Sequence, residues 1–162
     1  MIAPPLAEPS NALPAWQRRT LAATAACLLA SGLGWLGVHW SVGAGTGALP
    51  HPLEAWLMRW HGLSAVAGAF GGGLVAAGHV ARGWHLGRRR TTGLSLCALG
   101  ALLVLSGYAL WYLVPEEWHA AAGWAHSAAG VLACGLGVLH ARRRAPEPAG
   151  SGLPARPGAP AP

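Results

Sequence analysis

The chain of 162 residues is 53% apolar and only 10% charged, and it contains neither lysine nor aspartate. A soluble domain usually carries about 25% charged residues, so this composition predicts a protein that lies in a membrane. All 11 basic residues other than histidine are arginines, and five glutamates bring the formal net charge to +6. Because most of these arginines flank apolar runs, the charge indicates membrane topology and argues against nucleic-acid binding.

Four apolar runs are long enough to cross a bilayer, which takes about 20 helical residues. They cover roughly residues 20–40, 56–81, 93–114 and 118–140. The connections are short except for 41–55, so consecutive spans should pack as antiparallel neighbours. The sequence therefore predicts an all-α, integral membrane four-helix bundle over residues 19–143. The flanking segments 1–18 and 144–162 are expected to be disordered tails, the second of them rich in proline and alanine.

The charged residues at the ends of the spans predict the orientation of the bundle. Arginines cluster at 18–19, 82–90 and 142–144, whereas the opposite loops carry mainly glutamate. By the positive-inside rule, both termini are expected in the cytoplasm, as for a multi-pass protein of a bacterial inner membrane. An alternative for the first span is a twin-arginine export signal cleaved near residues 45–48.

A short internal repeat relates the two halves of the chain. Ser31-Gly32 lies in the first span and Ser106-Gly107 in the third, each followed within a few residues by tryptophan. Each of these spans precedes a span that holds two histidines. The pattern predicts two similar helical hairpins, 20–81 and 93–140, related by an axis along the membrane normal.

Histidine stands near both ends of the second and fourth spans. His61 and His79 are 18 residues apart, about five turns of helix, and the 14 residues from His126 to His140 return to within roughly 40°. Each pair should therefore share a helix face. On a common axis His61 would meet His126 near the outer surface, and His79 would meet His140 near the inner one. His119 is an alternative to His126, because it lies seven residues earlier on the same face.

Paired imidazoles inside a membrane indicate a metal cofactor. Ionisable side chains are costly in a bilayer and are usually functional. A haem iron held by two histidines has no open coordination position, so such a site transfers single electrons. The chain has no Cys-x-x-Cys-His sequence, so a haem would be bound non-covalently, as haem b. Gly130, four residues after His126, would let a flat macrocycle approach the helix.

Arginine follows both of the histidines predicted near the inner surface. Arg82 and Arg143 come three residues after His79 and His140. Residues at this spacing lie on roughly the same face of a helix, and guanidinium groups bind carboxylates well. Both arginines are therefore candidates to bind the propionates of an inner haem.

Together these features resemble the bacterial four-helix cytochrome b family, which includes cytochrome b-561 and the membrane subunits of formate dehydrogenase and nickel–iron hydrogenase. The resemblance covers about residues 20–143. It rests on the Ser-Gly spans that precede the two-histidine spans, on the spacing His126-x3-Gly130-x9-His140, and on His79 followed by Trp84 and a basic loop. It implies two haem b groups and electron exchange between the quinone pool and a periplasmic or membrane redox partner. No stand-alone catalytic site is expected.

One feature departs from that family. Its two-histidine spans more often separate the ligands by about 14 residues, and Ala65 stands where a histidine would give that spacing to the second span. Two other functions use the same residues: a cofactor-free membrane anchor or scaffold, in which the histidines bond between helices, and a carrier of metal ions or protons.

Overall fold

The computed structural model describes residues 13–85 and 90–142, and these contain no β-strand. In chain order the elements are α1 (Ala15–Ser41), a 3-10 turn (Ala44–Thr46), α2 (Pro52–Val75), a π-helical turn (Ala76–Val80), α3 (Ala81–His85), α4 (Arg90–Tyr112) and α5 (Glu116–Arg142). The prediction of an all-α four-helix bundle is confirmed. Of the predicted tails, 1–12 and 144–162 lie outside the described residues, and α1 begins at Ala15, within the first predicted tail.

Four segments of the described chain are long and apolar enough to cross a membrane: Ala15–Thr46, Pro52–Gly83, Arg90–Tyr112 and Glu116–Arg142. Their apolar side chains point mainly away from the bundle, and Val66, Phe70 and Leu105 are 67–72% exposed. Exposure of such side chains to water would cost about 1.5–3 kcal/mol each. A lipid bilayer is therefore the environment in which this surface is stable.

The helices pack as two hairpins. α1 lies along α2, and α4 lies along α5, as the short connections predict. Between the hairpins, α1 contacts α5 and α2 contacts α4. The two histidine-bearing helices, α2 and α5, therefore face each other diagonally across the bundle. No large side chain is fully buried among the described residues, so the hairpins are not joined by a packed apolar core.

The second span is not one regular α-helix, because the π-helical turn Ala76–Val80 interrupts it and contains His79. Glycines precede this turn at 71–73 and occupy position 78, and their low helix propensity helps a wide turn to form. A π-helical turn holds more residues than an α-helical turn. His79 is therefore rotated away from the position that 3.6 residues per turn predicts. The expectation that it shares a face with His61 assumes a regular α-helix between them, which this turn interrupts.

At one end of the bundle the carboxylate of Glu54 organises the connection 42–51. Glu54 is only 7% exposed. Its Oε1 accepts hydrogen bonds from the backbone N–H groups of Ala44 and His51, at 3.1 and 2.9 Å. Its Oε2 lies 2.8 Å from Nδ1 of His39. We call this the Glu54 end. The opposite, arginine end carries Arg18, Arg19, Arg82, Arg90 and Arg142.

Position 43 requires glycine because of the buried carboxylate. A Cβ atom there would collide with the carboxylate of Glu54 and lie 3.0 Å from Cα of His39. We expect Gly43→Ala to lower the midpoint of thermal unfolding by a few degrees, because the loop or the carboxylate must shift. Circular dichroism in detergent measures this midpoint. Gly37→Ala is the control, since a Cβ at Gly37 meets nothing within 4 Å; an equal midpoint for both variants would contradict the packing argument.

Candidate functional site

His61 of α2 and His126 of α5 approach each other across the bundle. Their ring centroids are 6.3 Å apart and their ring planes make an angle of 68°. Two imidazoles that bind one metal ion from opposite sides, at about 2.0 Å per nitrogen, have their centroids about 6 Å apart. The structure thus brings together the two histidines that were predicted to meet, at a separation that suits a shared metal ion.

Ser31 of α1 holds the ring of His61. Nδ1 of His61 lies 3.0 Å from Oγ of Ser31, which is itself buried. The serine hydroxyl also lies 2.6 Å from the carbonyl oxygen of Cys27 and 3.2 Å from that of Leu28. Beside it, a Cβ on Gly32 would be 3.2 Å from Cε1 of His61. The Ser-Gly pair therefore contacts the ring from α1, and only a small residue at position 32 lets the ring come this close to the helix.

Ser106 of α4 holds the ring of His126 in the same way. Nδ1 of His126 lies 2.7 Å from Oγ of Ser106, and this hydroxyl lies 3.3 Å from the carbonyl oxygen of Leu103. A Cβ on Gly107 would be 3.5 Å from Cε1 of His126. In each hairpin, the repeated Ser-Gly pair therefore contacts the histidine of the following span.

The contacts of Ser31 with His61 and of Ser106 with His126 were not predicted from the sequence. The Ser-Gly pairs served only as evidence of a repeat, because such pairs are common where membrane helices pack. A signal was nevertheless present: each serine lies at about the depth of a histidine on the following antiparallel span. Hydroxyl groups one span before an intramembrane histidine are therefore worth testing as its hydrogen-bond partners.

At the arginine end the structure describes three of the four predicted residues, His79, Arg82 and His140. His140 places Nδ1 2.9 Å from Oγ1 of Thr92 on α4, so a hydroxyl again contacts the ring. His79 is partly buried, with its Nδ1 enclosed by the protein. Nη2 of Arg82 lies 3.5 Å from where a Cβ on Gly78 would be, so the guanidinium folds back along the helix towards the π-helical turn. The pairing of His79 with His140 stays a prediction, and Arg143 lies outside the described residues.

Two further predicted residues have clear positions on α5. His119 is exposed in the first turns of the helix, and it is His126 whose ring faces His61. A Cβ on Gly130 would lie 3.9 Å from Cδ2 of Leu103, in ordinary contact with α4. This is the environment of a helix-packing glycine, and the assignment of Gly130 to a haem face stays a prediction.

An open cleft of about 330 Å³ lies near this site at the Glu54 end. Met58 on its wall precedes His61 by one helical turn, so the cleft lies outward of the histidine pair. Trp35, which also lines the cleft, stacks on His39, with ring centroids 4.4 Å apart. Helices α1, α2 and α4 line the cleft with Trp35, Glu54, Ala55, Met58, Arg59 and Trp111.

The described residues contain no group of three or more His, Cys, Asp or Glu side chains that could hold a metal ion. A bare transition-metal ion usually takes three or four protein ligands. The histidine pair offers two imidazole donors, with ring centroids 6.3 Å apart, which is fewer than such a site requires.

No family model, curated protein or solved structure matches this chain. The geometry around His61 and His126 is therefore the basis for assigning a function.

The contact between Ser31 and His61 predicts an energetic coupling. In a double-mutant cycle of Ser31→Ala and His61→Phe, we expect a coupling of about 0.6 kcal/mol, and at most ~1.7 kcal/mol, as for other hydrogen bonds between membrane helices. Reversible unfolding in mixed micelles supplies the four free energies of unfolding.

Ser95 provides the matched control, because its hydroxyl bonds the carbonyl of Thr91 in its own helix and is exposed. Ser95→Ala and His61→Phe should be additive within about 0.5 kcal/mol. The same additivity for Ser31 would show that its hydroxyl does not hold the ring of His61.

Proposed function

We propose that this chain is a b-type dihaem membrane cytochrome that transfers electrons between the quinone pool and a redox partner. The observation that carries the proposal is the approach of His61 and His126 on the bundle axis, each with Nδ1 in contact with a serine hydroxyl. In a ligating histidine the second ring nitrogen usually makes such a hydrogen bond. The contact leaves Nε2 of each ring as the metal-binding atom.

The donor set fits haem better than a lone metal ion. Two imidazole nitrogens satisfy both axial positions of a haem iron, and the macrocycle supplies the other four ligands. When bound, haem supplies a reversible one-electron change at its iron. The protein contributes two neutral donors, held by hydroxyl groups within apolar helices that exclude water.

The cleft at the Glu54 end supports a quinone as one electron partner. Trp35 and Trp111 offer flat aromatic surfaces to a ring, while Arg59 offers a cation to its oxygen atoms. Binding sites for small molecules commonly combine apolar walls with a few polar groups. Oxidation of one hydroquinone releases two electrons and two protons, so two one-electron centres match one hydroquinone.

The arginine end supports the placement of the second haem and the orientation of the chain. We assign His79 and His140 as ligands there, with Arg82 and Arg143 bound to the propionates. By the positive-inside rule, the cluster of arginines favours a cytoplasmic location for this end and both termini, in a bacterial inner membrane. The two sites would then lie on opposite sides of the bilayer centre, which suits electron transfer across it.

The outer ligand pair predicts a specific loss of haem. Protein purified from haem-replete cells should show a reducible Soret band and two haems per chain by pyridine extraction. His126→Ala should retain one haem, because Ser106 cannot replace an imidazole as ligand. His119→Ala, seven residues earlier on the same helix, should retain both. A colourless wild-type protein, or loss of haem from the His119 variant alone, would contradict the proposal.

The inner pair predicts the complementary loss. His140→Ala should lower the haem content from two to one per chain and leave the spectrum of the outer haem unchanged. Combined with His126→Ala, it should give a colourless protein that is still helical by circular dichroism. Full haem content in the single variant would refute the assignment of His140.

One observation favours a second function, that of a cofactor-free membrane anchor. The hydroxyl–imidazole contacts of His61, His126 and His140 each join neighbouring helices, and such hydrogen bonds by themselves stabilise pairs of membrane helices. The haem extraction distinguishes the two functions, because an anchor of this kind would bind no haem in any variant.

A further inference from the structure

We propose that Ser31 and Ser106 are positioning residues that determine which ring nitrogen of His61 and His126 carries the proton, and therefore which nitrogen binds metal. The part of this inference that concerns haem rests on the proposed function. The part that concerns the ring protons depends only on the contacts between the serines and the histidines.

The hydrogen bonds of Ser31 define the protonation of His61. A serine hydroxyl has one proton to donate, and a backbone carbonyl can only accept. The carbonyl oxygen of Cys27, at 2.6 Å, is the closest partner of the Ser31 hydroxyl and takes this proton. The remaining contact, 3.0 Å to Nδ1 of His61, is a hydrogen bond only if Nδ1–H donates to the serine oxygen. A neutral His61 then has an unprotonated Nε2, the form that binds metal.

Ser106 contacts the same two kinds of partner, a backbone carbonyl and Nδ1 of a histidine, but with the opposite order of distances. Its hydroxyl lies 3.3 Å from the carbonyl of Leu103, but only 2.7 Å from Nδ1 of His126. The contact with the carbonyl is thus longer than at Ser31, and the contact with the ring is shorter. Because the ring is the closest partner of the Ser106 hydroxyl, this hydroxyl can also donate to Nδ1, so we expect Nδ1–H to be less populated at His126 than at His61.

The two hairpins reach this arrangement with different connections. Ser31 and His61 are 30 residues apart, whereas Ser106 and His126 are 20 residues apart. The connection between the helices therefore does not dictate the contact. What the hairpins share is the Ser-Gly pair, in which the serine contacts Nδ1 and the following glycine lies next to Cε1.

A hydrogen bond from Nδ1–H to an oxygen makes Nε2 a more basic ligand. A more basic ligand favours ferric over ferrous iron, because the ferric ion carries more positive charge. Removal of the serine oxygen should therefore weaken ferric haem binding more than ferrous binding. We expect about a tenfold difference, which raises the midpoint potential of the outer haem by about 59 mV for a one-electron couple.

The first test reads the ring protons directly in the haem-free full-length chain, produced in haem-deficient cells and labelled with ¹⁵N-histidine. Long-range ¹H–¹⁵N spectra should show His61 protonated at Nδ1 in the wild type and protonated mainly at Nε2 in Ser31→Ala. Ser31→Thr, which keeps the hydroxyl, should restore protonation at Nδ1, and Ser95→Ala should change nothing. Protonation at Nδ1 that persists in Ser31→Ala would overturn the inference.

Ser106→Ala extends the test to the second ring and does not depend on the folding of the Ser31 variant. The Nδ1–H population of His126 should fall in this variant, and Ser106→Thr should restore it. An unchanged His126 would overturn the proposed role of Ser106. Circular dichroism shows that each variant is folded before its ring nitrogens are compared.

The second test measures midpoint potentials in the haem-loaded protein. Ser31→Ala should raise the potential of the outer haem and leave that of the inner haem unchanged, and Ser31→Thr should restore the wild-type value. A purely structural role for Ser31 would lower stability and leave the potential unchanged, which would overturn the inference and leave the haem ligands as assigned. A colourless wild type would instead overturn the proposed function, and the ring-proton test would still decide the role of the serines.

Discussion

The structure depends on how an imidazole is accommodated inside an apolar bundle. A polar nitrogen without a partner costs several kcal/mol in hydrocarbon. At His61, His126 and His140 the hydroxyl group of a neighbouring helix contacts Nδ1. This contact orients the ring and joins the two helices of a hairpin. It also leaves Nε2 available to bind a metal, so one hydrogen bond connects the fold to the proposed site.

The bundle is built from two hairpins. Within each hairpin the helices pack closely along their length, while the hairpins meet through fewer contacts. At the Glu54 end these contacts include the pair His61–His126 and the stacked rings of Trp40 and Trp124, whose centroids are 6.3 Å apart. The histidines thus stand at the interface between the hairpins. A group bound by both rings would belong to that interface as much as to either helix.

Parts of the site could be predicted from spacing and parts could not. The seven-residue spacing left both His119 and His126 on the face that meets α2, and only the packed helices bring His126 opposite His61. The rotation of His79 was not predictable, because counting residues assumes a regular α-helix and Ala76–Val80 is π-helical. In the sequence, Glu54 is only one of the glutamates near the span ends opposite the arginines. Its bonds to the loop amides and to His39 form only once that loop has folded.

Composition and the length of the apolar runs by themselves determined that the chain is a membrane protein with four spans, and that histidines lie near both ends of two of them. Those properties are local, because hydrophobic length and angular position along one helix depend only on residue type and number. The tertiary structure alone decided which serine contacts which ring and which histidines converge. The physical reason is that spacing gives positions on one helix, whereas the rotation of each helix against its neighbours is set by packing.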